Sequence, residues 1–323
     1  MSQIKLKVAD IQQLTDTIKS FDLVSADGGH LPSWEAGSHI DIEIDGHMRR
    51  SYSLANQPGD TDHWVTAILR EESGTGGSKF MHDKVSVGDE LTIAEPPTNH
   101  FPLEENAASH LLIGGGIGIT PLLSMGYRLK DIEADFHLHY CTKSKEDTAF
   151  YDKVLEVFGS NGVTFHHDGG DPSQGIKLDN VLSAQKERQH LYLCGPGGLI
   201  NAAREATSHW QDGTVHFELF ASAKSEDEKT EAAEGDQPFE VELKKSGITF
   251  TVPADKSIIE LLRANEVDVM YACEEGWCGN CKVGLISGKA DHRDEFLDDT
   301  DRENFIQVCI SRAMPGENLV LDI

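Results

Sequence analysis

Up to about residue 102 the apolar positions recur at every second residue in short runs set off by turn residues. Ile40-Asp-Ile-Glu-Ile44 alternates in this way, Gly46 marks a turn, and Trp64-Val-Thr-Ala-Ile-Leu69 is a second β-rich run, so the stretch predicts an antiparallel barrel or sandwich. From about residue 107 the pattern changes to continuous apolar runs separated by helical stretches: Leu111-Leu-Ile113, Phe136-His-Leu-His-Tyr140, Val163-Thr-Phe165, Leu191-Tyr-Leu193 and Val215-His-Phe217. Runs without alternation suit strands buried on both faces, which predicts an α/β domain on a parallel sheet. Residues 221–237 are charged and small, with no aromatic or β-branched aliphatic side chain, and cannot bury enough surface to fold alone. Beyond them, Phe239-Glu-Val-Glu-Leu243 and Ile248-Thr-Phe-Thr-Val252 flank the turn Lys245-Ser-Gly247 as a hairpin, and Ser257 is placed to cap a helix running to Arg263. The expected organisation is therefore multidomain: a β-barrel over 1–102, an α/β parallel-sheet domain over 103–220, an acidic linker over 221–237 and an α+β domain over 238–323.

Charge narrows the partners. Asp and Glu number 55 against 28 Lys and Arg, a formal charge of −27, which argues against nucleic acid or an anionic membrane surface and permits a basic protein partner. A generally acidic surface accounts for the same charge equally well. No run of eighteen apolar residues and no charged-then-apolar leader occurs in the sequence, so a cytoplasmic protein with no membrane association is expected. Cys141 and Cys194 stand isolated, in keeping with a reducing compartment.

The other four cysteines carry the strongest chemistry. Cys273, Cys278, Cys281 and Cys309 follow the order C-x4-C-x2-C and then a long gap to the fourth, the ligand spacing of a plant-type [2Fe–2S] cluster. A structural zinc site is usually built from two C-x2-C pairs, and disulfides belong to secreted chains. Gly276 and Gly279, lacking Cβ, suit a loop that wraps closely round an inorganic core and turns backbone N–H groups toward its sulfurs. The chain is thus expected to carry electrons.

Two loops in the α/β segment look suited to a dinucleotide. Ile113-Gly-Gly-Gly-Ile-Gly-Ile-Thr-Pro121 follows a strand and ends with a proline fit for the first turn of a helix, so backbone amides and a helix N-terminus can face a pyrophosphate. It is not the G-x-G-x-x-G fingerprint, because Ile119 takes the third glycine's place. Leu191-Tyr-Leu-Cys-Gly-Pro196 puts a thiol and a sharp turn at the carboxyl edge of the same sheet. In the barrel, Arg50-Ser51-Tyr52-Ser53 joins a cation, a ring and a hydroxyl. On an alternating strand Arg50 and Tyr52 share one face, while Gly76-Gly77-Ser78 offers an anion-friendly turn beside Lys79.

In order and wording these segments resemble the flavin-dependent reductase components of Rieske-type oxygenases and demethylases, the phthalate dioxygenase reductase type, over essentially the whole chain. Pro97-Thr-Asn-His-Phe-Pro102 and His216-Phe-Glu-Leu-Phe220 belong to the same likeness. The resemblance implies FMN on the barrel, NADH on the α/β domain and a β-grasp ferredoxin module last. It implies that Arg50, Ser51, Tyr52 and Ser53 bind the flavin together with Ala67, Leu69, Gly76, Gly77 and Ser78. The nicotinamide nucleotide falls to Gly115, Gly116, Gly118, Ile119 and Thr120 on one loop and to Cys194, Gly195 and Pro196 on the other. Phe220 and Cys194 would lie near the flavin and nicotinamide, although Cys194 also suits a small core position. The cluster ligands are the cysteine quartet.

Two positions depart from the family pattern. Thr75 stands before Gly76-Gly77-Ser78 where a basic residue is common, which leaves Lys79 or Arg70 as substitutes for the cation on the FMN phosphate. Cys141-Thr-Lys-Ser-Lys145 carries no acidic residue immediately placed for a ribose 2′-hydroxyl, so Lys143 and Lys145 keep NADPH open as a donor. The resemblance implies an NAD(P)H-dependent reductase that passes electrons through FMN and the cluster to a Rieske-type oxygenase, with no side-chain nucleophile or general base required. The same electron chain serving a cytochrome P450 or a hybrid-cluster protein is the nearest alternative, and a ferredoxin-type carrier without NADH activity the more distant one. The paired histidines His137 and His139, and His166 and His167, show no third ligand at a recognisable spacing.

Overall fold

The computed structural model describes residues 3–44, 48–72, 76–93, 96–220, 235–265, 267, 269, 271, 276, 279, 281–294 and 296–323. They form two compact units, the first containing most residues up to Phe220 and the second centred on the C-terminal segment.

The first unit opens with β1 (Ile4–Gln13), β2 (Ile18–Ser25), β3 (His39–Ile44), β4 (Met48–Ser53), β5 (Trp64–Leu69), α1 (Gly77–Asp83) and β6 (Glu90–Ile93). The six strands form one sheet in the order β4-β3-β6-β1-β2-β5. An antiparallel bridge between Leu54, just beyond β4, and Thr66 of β5 joins the two outer strands. Ala55 N–H donates to the Val65 carbonyl (2.8 Å) and Thr66 Oγ1 to the Ser53 carbonyl (2.9 Å), so closure removes the open edges. Period-two alternation sends Leu6, Val8, Phe21, Leu23, Ile40, Ile42 and Ile44 inside.

The same unit continues through β7 (Ser109–Gly115), α2 (Ile119–Asp131), β8 (Phe136–Thr142), α3 (Tyr151–Gly162), β9 (Val163–His167), α4 (Leu178–Val181), β10 (Gln189–Gly195), α5 (Gly197–Ala206) and β11 (Val215–Leu219). All five strands run parallel in the order β11-β10-β7-β8-β9. Every residue of β7 is buried, as expected of a central strand covered on both faces. Chain order reverses between β7 and β10, and the crevice outside their carboxyl ends is where open α/β sheets bind ligands. Ile18, Ala36, Ala55, Ala67 and Phe101 of the barrel pack in one cluster with Leu112, Ile119, Leu122, Tyr140 and Cys194, so barrel and parallel sheet share a core.

The second unit consists of β12 (Phe239–Leu243), β13 (Thr249–Val252), α6 (Ile258–Ala264), β14 (Lys282–Ser287), β15 (Ala290–Asp291), β16 (Phe305–Gln307), β17 (Arg312–Ala313) and β18 (Leu319–Leu321). Five strands make a mixed sheet, β13-β12-β18-β14-β16, and β15 pairs β17 separately. The expected hairpin forms, with Phe239 opposite Val252. Helix α6 starts in a capping box: Ser257 Oγ accepts from Glu260 N–H, and Glu260 Oε2 accepts from Ser257 N–H at 2.7 Å. Its Ile258, Ile259 and Leu262 are buried in a core shared with Val241, Leu243, Val308 and Leu321. A helix on a mixed sheet of this kind is the expected β-grasp arrangement.

Asp236, at the end of the segment read as a linker, is held by the second unit. Arg293 Nη1 and Nη2 reach Asp236 at 3.1 and 2.5 Å, and Arg312 Nε lies 3.6 Å from its Oδ2. Residues 221–234 lie outside the described residues.

Candidate functional site

At the carboxyl edge of the parallel sheet the two loops singled out in the sequence meet. A Cβ on Gly118 would stand 2.2 Å from the Cys194 carbonyl oxygen, and one on Gly115 would stand 2.7 Å from Pro196 Cδ. Only hydrogen at these positions lets the loops close on each other. Gly116 has open space where a Cβ would point, so the start of α2 offers its backbone amides to the solvent side, where a pyrophosphate can meet them. Ile119 and Thr120 are buried, and Thr120 Oγ1 donates to the Ile117 carbonyl at 3.0 Å. These two side chains therefore shape the loop from beneath. Pro196 caps α5 and is exposed, while Gly195 is buried.

Beside this edge lies a polar group that sequence reasoning passed over. Glu218 on β11 is in parallel register with Cys194 on β10. Its Oε2 is out of contact with solvent and has no hydrogen-bond partner among the described residues. Burial pushes the Glu218 carboxyl up to about 8, and a hydrogen bond with Ser53 only partly opposes the rise. Cys194 is fully buried, and burial, reinforced by Glu218, holds its thiol well above the ordinary range. Ser53 of the flavin motif, Cys194 of the nucleotide loop and Glu218 thus come together from three separate stretches of chain. An orphaned carboxyl oxygen at this place fits the polar edge of a bound ring system. In the sequence Glu218 showed only as the acidic residue inside His216-Phe-Glu-Leu-Phe220, with no sign of its burial.

Elsewhere on the barrel, Ser51 Oγ donates to Asp41 Oδ1 at 2.5 Å, and Arg50 Nη1 donates to the Arg49 carbonyl at 2.7 Å. Tyr52 is half-buried on β4, Ala67 is buried on β5, and Leu69 is half-buried at its end. Gly76, at φ +103°, leads into α1, whose first residues are Gly77 and Ser78, and Ser78 Oγ accepts from Glu71 N–H at 3.0 Å. The two substitute cations are both engaged. Arg70 pairs with Glu72 (2.8 Å) and Asp83 (2.5 Å), and Lys79 lies 3.5 Å from Glu72. Their charge is already matched by carboxylates. Phe220 is half-buried against the shared core of the first unit.

In the second unit, Cys281 Sγ and Cys309 Sγ lie 2.9 Å apart, both sulfurs buried. That is too far for a disulfide and close enough for two ligands of one metal. Gly276, at φ +84°, sits so near Ile310 and Asp294 that a Cβ would come within 2.9 Å of Ile310 Cγ2. Two adjacent buried sulfurs fit ligands of an iron–sulfur cluster. Cys273 and Cys278 lie outside the described residues.

Comparison with known proteins agrees with this geometry. Residues 241–314 match the 2Fe-2S iron-sulfur cluster binding domain. The chain is 40% identical to phthalate dioxygenase reductase of Burkholderia cepacia over 99% of its own length and 97% of that protein's. It is 38% identical to the vanillate O-demethylase oxidoreductase of a Pseudomonas strain, over 99% of this chain and all of that one. The chain belongs to the phthalate dioxygenase reductase family of flavin and [2Fe–2S] reductases. The solved structure of a phthalate dioxygenase reductase, described as modular for electron transfer from pyridine nucleotides to [2Fe–2S], superimposes with a TM-score of 0.76 at 40% identity, covering 100% of this chain and 98% of that one. Membership accounts for the order barrel, parallel sheet, ferredoxin module. Among the described residues of this family member, no helix is long and apolar enough to cross a membrane.

Four histidines of the parallel sheet form two pairs. His139 Nδ1 and His166 Nε2 are 2.9 Å apart, as are His190 Nδ1 and His216 Nε2. Burial lowers His139 and His216 to about 4, so both rings are neutral at pH 7. No group of three metal-ligating side chains that could hold an ion occurs among the described residues.

Proposed function

We propose that the chain is the NADH-oxidising reductase component of a two-component oxygenase or demethylase, its barrel (1–102) holding FMN, its parallel-sheet domain (103–220) the nicotinamide nucleotide and its last module (238–323) a [2Fe–2S] cluster on Cys273, Cys278, Cys281 and Cys309. The observation that carries this reading is the meeting of Ser53, Cys194 and Glu218 at the carboxyl edge of the sheet, because it brings the flavin motif and the nucleotide loop to one place. The bound groups supply acceptance of a hydride as an electron pair and delivery of single electrons onward.

The chain's own residues bind, orient and exclude water. Gly115, Gly116 and Gly118 keep the backbone low enough for a pyrophosphate at the start of α2, and Gly195 and Pro196 close the second side of that cleft. Arg50 supplies charge for the FMN phosphate, and Gly76, Gly77 and Ser78 supply an anion-friendly turn. Tyr52 offers a ring face for the flavin, with Ala67 and Leu69 of β5 and Phe220, which directly follows β11, as its further contacts. Glu218, a neutral acid at pH 7, can hold a proton next to Ser53 without placing a charge in the cleft. The partner is a Rieske-type oxygenase, and the reducing cytoplasm is the compartment that suits buried free thiols and a cluster.

The test is purification followed by cofactor analysis and coupled turnover. One FMN and two irons per chain are expected, with ferricyanide reduction faster on NADH than on NADPH and product formation by a Rieske oxygenase only when the chain is added. A preparation without flavin, or one that reduces ferricyanide but never supports an oxygenase, would overturn the reading.

A further inference from the structure

Gln307 ends β16 two residues before Cys309, and its side chain has no solvent exposure. Its amide oxygen lies 3.5 Å from Cys281 Sγ and 4.0 Å from Cys309 Sγ. Its amide nitrogen is buried and has no hydrogen-bond partner among the described residues. The backbone holds the side chain there: Gln307 pairs with Lys282 across β14 and β16, and its carbonyl accepts from Ser311 N–H at 3.1 Å.

This orientation suits two thiols, whose S–H groups can donate to a carbonyl-type oxygen. It does not suit two metal ligands. Thiolates carry negative charge and only accept, so an amide oxygen facing them is repelled while an N–H₂ group goes unpaired nearby. Rotating the Gln307 amide by half a turn exchanges oxygen and nitrogen with little change in shape. The buried donor then gains sulfur acceptors, the nearer on Cys281, and the oxygen takes the unpartnered place, where an unsatisfied carbonyl is better tolerated than an N–H.

Resting on the reading that the quartet holds a [2Fe–2S] cluster, we propose that Gln307 donates N–H···S hydrogen bonds to the thiolates of Cys281 and Cys309 and thereby raises the reduction potential of the cluster. Reduction adds a negative charge that spreads onto the ligand sulfurs, and a donor aimed at those sulfurs stabilises the reduced form more than the oxidised one. The amide acts through the ligands and exchanges no electron or proton itself.

The experiment uses the full chain. Iron and inorganic sulfide are quantified first: a parent protein without two of each fails the cluster reading itself, independently of Gln307. Gln307→Leu and Gln307→Met are then titrated potentiometrically with detection of the reduced cluster by electron paramagnetic resonance. The expected result is a midpoint potential more negative in both variants at unchanged iron content, with NADH-to-ferricyanide turnover preserved. Equal midpoints for parent and variants would overturn the proposal. If both variants lose the cluster, the parent labelled with ¹⁵N in glutamine decides: a hyperfine coupling between the reduced cluster and the labelled amide nitrogen supports the hydrogen bond, and its absence removes it.

Discussion

Gly118 and Cys194 leave no room between them, since a Cβ on Gly118 would stand 2.2 Å from the Cys194 carbonyl oxygen and 2.7 Å from the Gly195 nitrogen. Both obstructing atoms are backbone, so neither can rotate away. Gly118→Ala should therefore push the two loops apart at the mouth of the nucleotide cleft, at an overpacking cost of about 1–3 kcal/mol. The expected outcome is a loss of roughly tenfold or more in kcat/KM for NADH, with FMN and iron content unchanged. Ferricyanide assays beside cofactor quantitation check it, and wild-type kinetics would show that the loops tolerate separation.

Glu218 should make stability depend on pH in a direction opposite to that of an ordinary salt-bridged carboxylate. Its carboxyl is raised from 4.5 to about 8, so the folded chain holds a proton there that the unfolded chain gives up. Its neutral form stabilises the fold fully below the unfolded value. That contribution is lost as pH rises from about 4.5 to about 8, with a total on the order of a few kcal/mol. Glu218→Gln keeps the shape and never ionises, so its thermal midpoint should fall less between pH 5 and 9 than the parent's. Parallel slopes in the two proteins would place the Glu218 carboxyl in contact with water.

Arg312 is held on several sides within the second unit. It donates to the carbonyls of Lys256 (2.6 Å), Pro253 (2.9 Å) and Gln237 (3.3 Å), and its guanidinium lies over the Phe239 ring at 5.0 Å. Arg312→Ala leaves three part-buried carbonyls without their donor and Asp236 without one of its two arginines, at a cost of about 1–3 kcal/mol for unsatisfied buried groups. Chemical denaturation followed by cluster absorbance should show the ferredoxin transition shifted to lower denaturant while flavin release is unchanged.

Cys281→Ser should abolish or cripple the cluster, because a hydroxyl replaces one of two sulfurs 2.9 Å apart. Ferricyanide reduction by NADH should persist and oxygenase coupling should vanish. Loss of both activities with FMN still bound would count against independent modules.

Ionic strength should distinguish the partner step from the internal one. With a net charge of −27, docking that uses an acidic face weakens as the Debye length falls from roughly 30 Å at 0.01 M salt to about 8 Å at 0.15 M. The oxygenase-coupled rate at limiting reductase should fall with salt far more than ferricyanide turnover does, and Glu274→Gln with Glu275→Gln should flatten the dependence. A coupled rate indifferent to salt would make docking apolar, with Trp277 the next residue to replace; all three positions lie outside the described residues.

What was legible in the sequence was what short stretches of chain decide by themselves. Strand alternation in Ile40–Ile44, unbroken apolar runs such as Leu111–Ile113 and the cap at Ser257 are local in origin, because side-chain periodicity follows from backbone geometry. The cysteine spacing is legible for the same reason, since three of the four ligands come from one short loop. Tertiary structure decided which distant groups meet. Glu218 has a raised carboxyl because the packed sheet edge, with β11 in register with β10, buries it, against the partial opposition of Ser53 from the barrel. Arg70 and Lys79 looked available to a phosphate until α1 brought Asp83, and the chain around β5 brought Glu72, against them. Gln307 is an ordinary amide in the sequence, and pairing of β14 with β16 is what sets it on Cys281. Local pattern reports the backbone each segment adopts, whereas the charge, protonation and hydrogen bonding of a buried group depend on neighbours that only packing supplies.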